Sequence, residues 1–174
     1  ELIGNIFKSG EEVLKDEFTK SDFNKFGQAT KEDKKEYLNR LGEILKNNFE
    51  NVKGNELEVL FKVLESGNEE ELKKFDVYLS SYKKTVADLK NLAAPEDKDY
   101  LNLHLLLINI MRNLEKSVEA MKLAFSDPLK MIFGARWYLN EAERWQKFER
   151  DFEVLTVKDG IFFEKNEGGS FILK

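Results

Sequence analysis

Residues 100–111 read Tyr-Leu-Asn-Leu-His-Leu-Leu-Leu-Ile-Asn-Ile-Met. On a helix these side chains put apolar groups on nearly every side. A helix apolar along one stripe lies on a surface, whereas one apolar all round lies inside something. The stretch therefore predicts a central helix, over about residues 95–125, around which the rest of the chain packs. Pro95 suits a first helical turn. Glu96, Asp97 and Asp99 behind it suit the positive end of the helix dipole. The central helix also carries the only histidine, His104.

Amphipathic helices are expected on both sides of it. Thr30-Lys-Glu-Asp33 is an N-cap signal. Tyr37, Leu38, Leu41, Ile44, Leu45 and Phe49 follow at helical spacing. Gly54-Asn55 interrupts the period, Leu57, Leu60, Phe61 and Leu64 resume it, and Gly67 fits a C′ position. Asn68 caps a further helix carrying Leu72, Phe75, Leu79, Tyr82, Val86 and Leu89. Asp127-Pro128 starts a last long helix, to about residue 152. Ser9-Gly-Glu-Glu12 has the capping-box pattern, which places a short helix over about residues 10–20. Three short β-branched and aromatic runs close the chain, at 154–157, 161–164 and 170–173. Asp159-Gly160 and Asn166-Glu-Gly-Gly169 separate them with turn chemistry.

The expected architecture is all-α: an antiparallel bundle of about five helices around the buried central one, with a C-terminal hairpin-like tail. One domain spans 1–174, divided into an N-terminal helix and irregular connection (1–29), the helical bundle (30–152) and the tail (153–174).

Composition narrows function mainly by exclusion. The 174 residues are 41% hydrophobic and 35% charged, with a net charge of −5 and acids and bases interleaved. No basic block offers a nucleic-acid surface. Cysteine is absent, which removes disulfides, thiolate metal sites and cysteine nucleophiles. Serine elbows, glycine-rich phosphate loops and His-x-x-x-His patterns are missing. No enzyme activity, cofactor or metal is expected.

Two places hold candidate chemistry. A buried histidine can serve as a base, a pH switch or a metal ligand, but one histidine cannot build the paired motifs of a di-iron bundle. The plainer reading makes His104 a core polar group bonded to a side chain or backbone carbonyl. Arg136-Trp137 and Arg144-Trp145 repeat one dipeptide eight residues apart. Trp145 shares a broad apolar stripe with Ile132, Leu139, Ala142 and Phe152, and Trp137 points nearly opposite to Ile132, Ala135 and Leu139. It needs a second packing layer, the tail with Phe162, Phe163 and Phe171, or a partner. Arginine and aromatic residues together are the usual anchors of binding surfaces, so Arg136, Trp137 and Arg144 are the expected binding residues for a protein partner. Glu115 with Glu119, and Glu141 with Glu149, read as solvated charged faces. A core cavity for a small apolar ligand is the alternative function.

Leu89-Lys-Asn-Leu92, Ala94-Pro95, Leu103-His104, Asp127-Pro128, Gly160-Ile-Phe-Phe163 and Gly168-Gly169 give residues 85–174 a resemblance. That half resembles uncharacterised helical-bundle proteins of candidate-phylum bacteria, which are tethered to the membrane by an N-terminal helix. The resemblance implies an extracytoplasmic, membrane-tethered domain whose anchor lies before Glu1, with Leu2, Ile3, Ile6 and Phe7 following it. It carries no catalytic residues.

Overall fold

Thr30 opens the first helix as its spacing predicts. Its hydroxyl accepts from the Asp33 N–H at 3.2 Å, and the Asp33 carboxylate accepts from the Thr30 N–H at 2.8 Å. This reciprocal cap satisfies two donors that a helix start leaves without partners. In the computed structural model, which describes residues 14–173, helix α1 runs over Lys31–Phe49. Helix α2 (Glu56–Ser66) is capped by Asn55 and ends at Gly67, whose φ of 63° is left-handed. Asn68 caps a six-residue 3-10 helix, Glu69–Lys74, and α3 follows over Phe75–Asn91. The central helix α4 spans Lys98–Met121 and the long helix α5 spans Pro128–Lys158.

The protein is mostly helical. Helix α4 packs against α3 and α5, and α1 packs against α3. Leu103, Leu107, Ile108, Ile110 and Val118 are almost wholly removed from solvent. Yet α4 is not a purely apolar post, since His104, Asn109, Asn113, Glu115 and Ser117 are buried with them.

Four expectations are corrected. Pro95 does not lie in the first turn of α4. Ala94–Pro95 forms strand β2, paired parallel with β1, Lys25–Phe26. The Ala94 N–H donates to Asn24 O at 2.9 Å and the Glu96 N–H to Phe26 O at 2.8 Å. Proline, which has no N–H, fits between those two donors, and α4 starts instead behind Asp97, which accepts from the Asp99 N–H at 2.9 Å.

The helix expected over 10–20 is the second. Its first residues, its capping box and Leu2, Ile3, Ile6 and Phe7 lie outside the described residues. Residues 14–19 are described, and they have no regular secondary structure. They form a strap whose backbone is bonded by a side chain of α4. Asn109 Oδ1 accepts from the Glu17 and Phe18 N–H groups at 3.0 and 2.9 Å, and Asn109 Nδ2 donates to Phe18 O at 3.1 Å.

Third, the hairpin expected in the tail does not form. Residues 154–157 continue α5, 161–164 are irregular, and Gly169–Ile172 is a short helix, α6. The paired glycines are there for close packing rather than for a hairpin turn. A Cβ on Gly42 would stand 1.9 Å from Gly168 O, and one on Gly168 would stand 2.1 Å from Asn39 O. The Gly169 N–H donates to Asn39 Oδ1 at 3.0 Å, and Lys35 pairs with Glu167 at 2.9 Å. The tail is thus latched onto α1.

The fourth correction concerns the face that α5 buries. Ile132 and Leu139 do not share one buried stripe with Phe152 as their spacing implies: they are exposed, while Met131, Gly134, Glu141, Phe148, Phe152 and Leu155 are buried. Gly134 decides this. A Cβ there would meet Ser117 O at 2.7 Å and Ala120 Cβ at 2.8 Å, so the bare backbone of this turn is what α4 can approach. Hydropathy alone cannot register that preference.

Candidate functional site

His104 sits where α1, α3 and the N-terminal segment converge on α4. Its Nε2 is 3.0 Å from Leu89 O in the last turn of α3, and its Nδ1 is 2.9 Å from the Tyr37 hydroxyl. A carbonyl only accepts, so Nε2 carries the proton, Nδ1 accepts, and Tyr37 donates. Phe23 stacks on the ring at 4.2 Å between centroids. Burial holds the imidazole neutral, lowering its pKa from 6.5 to about 4. The same burial raises the Tyr37 hydroxyl well above its ordinary range, so it stays a donor. Both ring nitrogens are therefore taken by the protein.

Arg144 is also engaged internally. Its two terminal nitrogens grip the Asp16 carboxylate at 2.8 and 2.9 Å, and Nη1 lies 3.1 Å from Glu141 Oε2. Asn113 Nδ2 donates to Glu141 Oε1 at 3.1 Å. Glu141 is buried rather than solvated, and that burial raises its pKa despite Arg144 and Asn113. Glu115 is buried likewise, with Arg112 at 2.7 Å. The signal for both was a basic residue on the same helix, three residues away from each carboxylate, at Arg144 and Arg112.

Arg136 and Trp137 fare differently. Trp137 is half-buried and stacks on Phe133 at 6.3 Å. Arg136 is exposed. It lies inside an apolar stripe of Leu129, Ile132 and Leu139, which are 44%, 49% and 55% exposed. At 100° per residue these four positions span an arc of about 80°, nearly opposite the face buried around Gly134 and Glu141.

A concave feature lies on another side of α5. An open groove of about 590 Å³ is lined by Leu45 and Phe49 of α1, Tyr82 of α3, Met111 and Leu114 of α4, and Phe171 of α6. Tyr138, Glu141, Ala142, Trp145, Gln146 and Glu149 of α5 complete it. Beside it Glu56, the first residue of α2, is buried and takes the hydroxyls of Tyr82 and Tyr138, the latter at 2.8 Å. Burial, with the Glu56 charge, raises both phenols well above their usual range and keeps them as donors. Trp145 Nε1 donates to Glu149 at 2.9 Å. Sequence spacing missed this groove because five elements, from residue 45 to residue 171, contribute to it.

Among the described residues no group of His, Asp or Glu is placed to hold a metal ion, and no helix is long and apolar enough to cross a membrane. Comparisons with protein-family models, with curated proteins and with solved structures find no match.

Proposed function

We propose that this chain is a non-catalytic interaction domain of the bacterial cell envelope. One observation carries the reading: the exposed stripe of Leu129, Ile132, Arg136 and Leu139 on α5. Monomeric surfaces seldom keep a contiguous apolar row of this kind unless something docks there. An arginine set among apolar side chains is the composition of a binding hot spot. The partner that fits is a protein surface with an apolar cleft and a carboxylate facing Arg136. Trp137, stacked on Phe133, borders the same face. Arg144 drops out of the docking set, since Asp16 and Glu141 already occupy its guanidinium.

The framework in this reading is an antiparallel bundle about α4. The absence of catalytic motifs and the two satisfied nitrogens of His104 support a binding role over a catalytic one. The envelope location rests on the resemblance of residues 85–174 to tethered bundle proteins, and it is tested by fractionation and protease accessibility in the native host. For the docking face, a photo-crosslinking residue is placed at position 136 and, as control, at the exposed Lys62. A crosslink at 136 that Ile132→Glu abolishes supports the face. Equal crosslinking from both positions removes it.

A second reading is favoured by the groove beside Met111 and Leu114: a binding protein for a small apolar ligand. Ligand sites are concave and mostly apolar, with a few convergent polar groups, and this groove has that make-up. The test is whether an alkyl chain protects the domain against thermal unfolding, and whether Ala142→Phe, which fills the groove, ends that protection.

A further inference from the structure

The charge and ring content of the groove select among apolar ligands. Five aromatic side chains line it, namely Phe49, Tyr82, Tyr138, Trp145 and Phe171, with Met111 and Leu114 between them. Its only ionisable carboxylates are Glu141 and Glu149, and neither lysine nor arginine is among its lining residues. Arg144, which pairs with Glu141, is held by Asp16 as well. Glu149 takes one hydrogen bond, from Trp145, and keeps acceptor capacity. An anionic headgroup would face carboxylate here. A neutral chain would leave Glu149 unused. A positively charged headgroup would meet both a carboxylate and the negative faces of aromatic rings, and such rings attract ammonium cations most strongly where water is partly excluded.

We propose that the groove binds an amphiphilic organic cation, a quaternary or alkyl ammonium group carrying an apolar chain. The headgroup lies by Glu149 and the Trp145 ring, and the chain runs over Met111, Leu114 and Phe49. This rests on the ligand-binding reading of the same groove and adds the charge of its occupant.

Calorimetric titration of the whole chain with octyltrimethylammonium, 1-octanol and octanoate, each below its micellar range, separates the two ideas. The cation binds about tenfold tighter than the alcohol, as one desolvated cation–π and carboxylate contact provides, and octanoate binds most weakly. The indole ¹⁵N–¹H resonance of Trp145 moves on binding. Glu149→Gln reduces the preference for the cation over the alcohol. Ala142→Phe, at an exposed position, weakens all ligands with the melting temperature unchanged. Equal affinity for cation and alcohol overturns the charge assignment and leaves the apolar-ligand reading standing. If none of the three probes binds, the groove is not a ligand site and both fail. Cation binding that survives Ala142→Phe places the ligand elsewhere and overturns the proposal.

Discussion

The Nε2–H of His104 donates to the Leu89 carbonyl across 3.0 Å, so the imidazole ties the last turn of α3 to the second turn of α4. Leu89 lies in the last turn of α3, where its carbonyl also accepts from the Leu92 N–H at 3.2 Å. Protonation at Nδ1 would leave this bond in place but end the ring's acceptance from the Tyr37 hydroxyl, inside a buried site that disfavours the charge.

Protonation of His104 therefore opposes folding. Its pKa falls from 6.5 to about 4 on folding. Between those values the unfolded chain binds the proton and the folded chain does not. The contribution is fully present above pH 6.5 and is lost as pH falls towards 4, amounting to about 3 kcal/mol. Glu17, Asp99 and Glu167, whose carboxyls their basic partners hold low, withdraw their share only at still lower pH. Urea unfolding at pH 7 and pH 5 is expected to show the loss, and His104→Gln is expected to flatten it while lowering stability at pH 7.

Removing Arg144 leaves two carboxylates facing each other. Arg144→Ala strips Asp16 and the buried Glu141 of their cation and is expected to cost about 3 kcal/mol. Adding Glu141→Gln removes the stranded charge and is expected to recover part of it. Additive losses in a double-mutant cycle by thermal unfolding would sink this account.

Close approach makes two glycines irreplaceable. At Gly42 a methyl group would collide with Gly168 O, and at Gly134 with Ser117 O. Gly134→Ala is expected to cost about 1–3 kcal/mol by prising α5 from α4. Gly42→Ala is expected to loosen the tail first, read as faster proteolysis within residues 161–172, and to lower the melting temperature.

Ile132→Glu and Leu139→Glu change exposed side chains. Each is expected to shift stability by less than about 0.5 kcal/mol while abolishing docking on the α5 stripe. Loss of more than about 1 kcal/mol in chemical denaturation would mean that the stripe is packed in solution.

Much of the helical framework was legible because its signals are local. Thr30, Asn55, Gly67 and Asp127 end or start helices through bonds to residues at most four positions away. The errors all arise where distant residues decide. Asn109 supplies hydrogen bonds that residues 14–19 would otherwise make in a helix. Gly134 turns α5 against its hydropathy pattern because contact with Ser117 and Ala120 needs bare backbone. Lys158 ends α5 about a turn and a half later than its β-branched residues suggested, since packing of Phe152 and Leu155 outweighs strand propensity. Of the site, Arg136 was named from its place beside Trp137, while Ile132 and Leu139, its exposed neighbours, were read as one apolar stripe with Trp145 and Phe152. The groove was invisible, since no window of sequence contains it.

The latch between Gly42 and Gly168 sets an order of events. Helices α4 and α5 follow one another in the chain and can meet after closing a short connection, whereas α1 must find residues 167–169 across more than a hundred intervening positions. Contacts that close large loops form late. The latch is thus expected to be unmade in the folding transition state. Weakening it with Gly42→Ala should hasten unfolding and leave the refolding rate nearly untouched. How long the native fold persists, more than how fast it is reached, is then governed by two glycines packed against each other.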